Sequence, residues 1–133
     1  MIRRIAREIV LQSLFQIDFS GCDAESALEA SLAEHEEKDA AKAKAYAEKT
    51  LQGVLENLAD IDGKIGEYAI DWTVERMSAT DRNILRVAVY EMMFAEEKIV
   101  PGIAINEAVE IAKRYGTEES PRFINGILGK MVR

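Results

Sequence analysis

Ser78-Ala79-Thr80-Asp81-Arg82-Asn83-Ile84-Leu85-Arg86-Val87-Ala88-Val89-Tyr90-Glu91-Met92-Met93-Phe94 decides the fold. Thr80 is the expected N-cap, and Asp81 falls in the first turn, where a carboxylate favours the positive end of the helix dipole. From Ile84 onward Ile84, Leu85, Val87, Ala88, Val89, Met92 and Met93 cover almost every side of the helix. A helix that is apolar all round sits at the centre of a bundle, so other helices must surround this one.

The flanking sequence supplies them. Ile2, Ile5, Ala6, Ile9, Val10, Ser13, Leu14 and Ile17 recur at three- and four-residue steps and predict a helix over 3–18 that Ser20-Gly21 ends. Asp23 reads as the N-cap of a second helix to Glu37, and a third runs from Lys38 to Asn57 with a charged outer face. A fourth covers Asp60 to Ile70, with Trp72 in the link that follows. Pro101-Gly102 restarts the chain before a sixth helix over Ile103 to Tyr115 that Gly116 ends, and Ser120-Pro121 opens a seventh. No segment alternates with a period of two. The expectation is an all-α, compact bundle of about seven helices.

At 133 residues, 48% of them hydrophobic, the chain suits one globular domain that needs no disulfide or metal staple. Cys22 is the single cysteine and His35 the single histidine, so no zinc-type ligand set exists. His35, among Glu34, Glu36 and Glu37, is expected to be a solvated helix residue. No apolar run approaches the ~18 residues of a membrane span, and the start lacks a secretory apolar region, so the expected compartment is the cytoplasm. Net charge is −7, but residues 18–75 hold fifteen acids against five bases, while 1–17 carry an excess of two positive charges and 76–133 of one. Phosphate contacts act within about a Debye length of ~8–10 Å, so the two ends can offer a basic face on an acidic protein.

Catalytic machinery is not legible. Gly126 and Gly129 make no phosphate loop, the serines have no histidine partner in context, and Glu36-Glu37, Glu96-Glu97 and Glu118-Glu119 are sequence neighbours that point about 100° apart on a helix. Recognition residues stand out more. Arg3, Arg7, Leu11, Phe15 and Phe19 follow one another at i+4 and form a ridge that passes from cationic to aromatic. Either Leu11 and Phe15 are core residues, or the ridge is a surface whose arginines match phosphate and whose rings stack on bases or seat a protein. Asn106, Glu107 and Asn125-Gly126 interrupt apolar helical patterns; a glycine there costs about 1 kcal/mol against alanine, so a close helix approach or a ligand's backbone is its expected reason. Arg122 and Phe123 repeat the cation-plus-aromatic pairing at the last helix.

Four pieces together resemble the NusB family of bacterial transcription antitermination factors: Arg3-Arg4-Ile5-Ala6-Arg7-Glu8, Asp81 through Glu91, Ile105 through Lys113, and Phe123-Ile124-Asn125-Gly126-Ile127-Leu128. The likeness runs collinearly over essentially the whole chain. It implies two three-helix-like halves, about 1–58 and 59–133, within one domain over 1–133, and a function without catalysis or cofactor. It further implies pairing with the ribosomal protein NusE, binding of the heterodimer to boxA-type single-stranded RNA, and read-through by RNA polymerase in ribosomal RNA operons. Arg3, Arg4 and Arg7 match the family's arginine-rich RNA-binding start, and Glu119, Arg122 and Phe123 match the RNA-facing opening of the last helix. Phe15 and Asp81 match the NusE-facing side, with Leu11 and Phe19 on the same ridge as Phe15. Ile5 interrupts the arginine run that some members extend, and Pro121 stands where others have an ordinary helix former. A homodimer burying the aromatic ridge, or a helical interaction module with no RNA role, are the alternatives.

Overall fold

A computed structural model describes residues 2–35, 40–70 and 72–132, and every regular element among them is helical. In chain order these are α1 (Ile2–Ser20), α2 (Ala24–Glu34), α3 (Ala40–Glu56), α4 (Leu58–Tyr68), a short 3-10 turn (Val74–Arg76), α5 (Ala79–Val89), α6 (Pro101–Tyr115) and α7 (Ser120–Met131). A π-helical extension, Tyr90–Phe94, continues α5.

Local chemistry explains most of the boundaries. The Asp23 carboxylate accepts from the Ser26 N–H at 2.7 Å and starts α2 as expected. The cap of α5 is Ser78 instead of Thr80: its Oγ accepts from the Asp81 N–H at 3.1 Å, and Thr80 lies inside the first turn. Two hydroxyls two residues apart offer the same signal, and the one whose backbone is extended takes the role. α2 ends at Glu34, with His35 as its C-cap, short of the expected Glu37. The expected starting residue of α3, Lys38, lies outside the described residues, and α4 opens at Leu58, two residues before Asp60.

α1 packs on α2, α3 and α5, while α4, α5, α6 and α7 pack on one another, so α5 touches both groups as its all-round apolarity requires. A single cluster of buried side chains runs from Ile5 through Leu85 to Leu128. Ile124, Ile127 and Leu128 hold α7 down, each worth roughly 1.5–3 kcal/mol when fully buried. Where α3 crosses the end of α5 the approach is close: a Cβ on Gly53 would overlap the Tyr90 ring. That position admits no other residue without moving the tyrosine.

Polar side chains in the interior add ties that the sequence did not show, and one overturns an expectation. His35 is not solvated; its side chain is 8% exposed, with Nε2 3.6 Å from Glu8 Oε1. Glu8 also accepts from Arg114 Nη1 at 2.9 Å. Arg86 ties α5 to α4, forking onto both Asp62 oxygens at 2.8 Å and donating to Asn83 Oδ1 at 2.9 Å. Asn106 and Asn125, by contrast, are exposed and tie nothing together.

Candidate nucleic-acid interface

The start of α1 is docked against α3, the π segment and α6 by charge. Arg4 Nε and Nη2 meet the two oxygens of Glu107 at 2.9 and 2.5 Å. Arg7 is 5% exposed; its Nε donates to Glu91 at 2.8 Å and its Nη1 lies 3.3 Å from Glu107. Tyr46 donates its hydroxyl to Glu91, and its ring carries Arg3 at 4.9 Å and Arg7 at 6.0 Å from its centroid. Burial, reinforced by the bond to Glu91, pushes the Tyr46 hydroxyl up to about 12. The Arg4 hydrogen bond holds the Glu107 carboxyl below the ordinary carboxylate range. Burial works against the Arg7 charge, but the Glu91 bond and its negative charge outweigh it and leave the guanidinium more basic than usual.

The expected arginine face is therefore split by depth. Arg3 is exposed, Arg4 is partly exposed and already paired, and Arg7 is nearly buried, committed to Glu91 and Glu107. Leu11 is likewise 1% exposed, which removes it from any partner surface. The i+4 ridge is real as geometry, but α1 buries two sides, so its middle faces the core while its ends emerge. Phe15 is half-buried against the core and Phe19 is 85% exposed. Beside them Asp18 accepts from Arg82 at 3.2 Å and from Asn83 at 3.0 Å, and Asp81 sits half-buried in the first turn of α5.

Arg3, Arg4, Arg7, Lys98, Ile103 and Glu107, among others, line one groove of about 390 Å³ that mixes cationic and apolar side chains. At α7 a second groove of about 300 Å³ is lined by Tyr68, Ile70, Trp72, Arg122, Phe123 and Lys130, among others. Phe123 meets Trp72 edge-on, centroids 6.2 Å apart at 77°. Glu119 is exposed immediately before α7, and its side chain makes no capping bond. Arg3 and Arg4 thus do not share a groove with Arg122 and Phe123; the two sets occupy separate openings. Sequence reading passed over Tyr46, Glu91 and Trp72. Glu91 alone carried a signal, as the one acid in the apolar run from Ile84 to Phe94.

Among the described residues no cluster of His, Cys, Asp or Glu could hold a metal, and no helix is long and apolar enough to cross a membrane. The sequence model of the NusB family matches residues 4–133. The chain belongs to the NusB family. A Pelotomaculum thermopropionicum transcription antitermination protein NusB is 47% identical over 132 residues, covering 99% of this chain and 90% of that one. Its Symbiobacterium thermophilum counterpart is 42% identical over 139 residues, covering all of this chain and 90% of its own. A solved structure of T. maritima NusB, 45% identical, superposes with a TM-score of 0.84 over 97% of this chain and 89% of that one. A solved complex of antitermination factors NusB and NusE with double-stranded RNA contains a chain 26% identical to this one, with a TM-score of 0.82 over 98% of this chain and 95% of that one.

Proposed function

We propose that this family member is a non-catalytic, cytoplasmic transcription antitermination factor that binds boxA-type single-stranded RNA as half of a heterodimer with NusE. In that role it would serve RNA polymerase in ribosomal RNA operons. The observation that carries the reading is the likeness, over 98% of this chain, to a protein solved with NusE and RNA together. Arg3 and Arg4 in one groove and Arg122 and Phe123 in the other supply phosphate and base contacts, with the exposed Glu119, just before α7, as an acceptor. Arg7 serves from within, holding Glu107 and Glu91 under the exposed arginines. Phe15, Phe19 and Asp81 lie on the NusE-facing side. A ring open to solvent on one side, as half-buried Phe123 is, favours unpaired bases over a duplex, whose bases are already stacked.

Few free cations and a net charge of −7 imply weak RNA binding alone and stronger binding with the partner. Fluorescence anisotropy of a labelled boxA-type RNA, titrated with this chain, with NusE and with the mixture, tests this. If Arg3, Arg4 and Arg122 each neutralise one phosphate, the chain's share of the log–log salt slope is about −2, so affinity drops about 20-fold between 50 and 200 mM salt. Equal affinity with and without NusE, or a flat salt response, refutes the reading and leaves a helical interaction module or a homodimer built on Phe19.

A further inference from the structure

Trp72 is 51% exposed although it is the chain's single tryptophan and lies against a half-buried Phe123. A ring pair of this size ordinarily closes into the core, because each aromatic side chain can bury about 150–250 Å². Here the two rings meet nearly at right angles and leave an open corner above the groove. A flat base placed on the face of one ring meets the other along its edge, and both contacts suit aromatic quadrupoles. Among the described residues the Trp72 indole N–H has no hydrogen-bond acceptor, so it is free to donate to a base.

The helix beneath the corner is arranged to match. Arg122, Gly126 and Lys130 fall at i, i+4 and i+8 on α7 and therefore form one line, about 12 Å from first to last. Arg122 and Lys130 make no ion pair among the described residues, whereas Arg4, Arg7, Arg82, Arg86 and Arg114 all do. Among the described residues no carboxylate lines this groove. Between the two cations Gly126 is exposed, and a Cβ added there would meet nothing within 4 Å. Close helix packing therefore does not account for a glycine that weakens α7 by about 1 kcal/mol relative to alanine. What it leaves is a smooth strip of helix flanked by two free cations.

Building on the RNA-binding reading, we propose that the Trp72–Phe123 corner seats one unpaired RNA base while its sugar-phosphate chain lies across Gly126, with phosphates at Arg122 and Lys130. This assigns Trp72, Gly126 and Lys130 to a base-and-phosphate subsite of its own, separate from the Arg3–Arg4 groove.

Trp72 reports on this groove directly. The complex of this chain with NusE is titrated with boxA-type single-stranded RNA and with a duplex of the same sequence. RNA anisotropy follows all binding, and tryptophan emission is compared with that of a Trp72→Phe chain in the same mixture. The expected result is emission quenched by the single strand and much less by the duplex. Trp72→Ala should lower affinity about 5- to 100-fold while Trp72→Phe largely preserves it. Lys130→Gln should flatten the salt slope, and Gly126→Gln should weaken RNA binding without lowering the melting temperature. RNA that binds with undisturbed Trp72 emission and normal affinity for Trp72→Ala and Lys130→Gln overturns the subsite while the RNA-binding function stands. Quenching by NusE alone, unchanged by RNA, makes the corner a protein-docking site and overturns it too, as does equal quenching by the duplex. Absence of RNA binding by the wild-type complex overturns both readings.

Discussion

Replacing Arg7 by alanine should destabilise this protein strongly, whatever it does to RNA binding. The guanidinium is 5% exposed and its main acceptor, Glu91, is 2% exposed, with Nε 2.8 and 3.1 Å from the two carboxylate oxygens. Truncation leaves a buried carboxylate whose remaining neighbour is the Tyr46 hydroxyl, a neutral donor that cannot balance a full charge. Breaking a buried pair from one side costs about 3–5 kcal/mol. Glu107 adds little, because Arg4 still holds it at 2.9 and 2.5 Å. Against a typical domain stability of about 5–15 kcal/mol, that loss moves the urea midpoint far down at unchanged slope. The companion variant Arg7→Met with Glu91→Met removes both charges at comparable volume and should recover most of the loss, since a buried pair is often no better than apolar packing. Urea unfolding of the wild type, Arg7→Met, Glu91→Met and the double variant gives the coupling energy. If Arg7→Ala loses less than about 1 kcal/mol yet releases RNA, the side chain is a phosphate ligand in solution and its burial is not as described here.

Other perturbations test particular contacts. Gly53→Ala drives a methyl group into the Tyr90 ring and should cost about 1–3 kcal/mol by thermal melting; a neutral result would mean that the Tyr90 ring swings aside without loss. Ser78→Ala should cost about 1 kcal/mol and Thr80→Ala clearly less, the reverse of what Thr80 as the cap would give, and urea melts of the two decide it. The Tyr46 hydroxyl is raised to about 12, so its neutral form is favoured by the fold. Its contribution to stability is complete below the unfolded value of about 10 and is lost as pH rises through 12. Ultraviolet titration of wild type against Tyr46→Phe should show the missing phenol ionising near 12; a difference spectrum that titrates near 10 refutes the buried bond to Glu91.

How much of this was visible in the residues follows from the range of the forces involved. Helix positions depend on spacing and on caps a few residues away, so the all-helical bundle and the central place of α5 could be read directly. Ser78 and Thr80 mark the limit even there, because choosing between two hydroxyls requires the backbone angles at each. His35 failed for a different reason: its partner Glu8 is in another helix, and a local run of glutamates says nothing about what lies across the core. The α1 ridge shows both outcomes in one element. The i+4 spacing placed Arg3, Arg7, Leu11, Phe15 and Phe19 in line, but which stretch of the line is covered depends on α2, α3 and α5, which no periodicity within α1 encodes. Trp72 was passed over because it lies in a link, where burial follows no pattern.

Glu107 touches both Arg4, at the surface, and Arg7, inside. A carboxylate held by two cations can release one without being left alone. On the RNA-binding reading proposed above, an Arg4 that left Glu107 for a phosphate would leave Arg7 with it, and the interior would keep its charge balance. Two bonds to Glu107 already restrain Arg4, so on that reading less rotamer freedom would remain to be lost on contact. Glu107 would then be a standby counter-ion, holding the partly exposed arginine until a phosphate took its place.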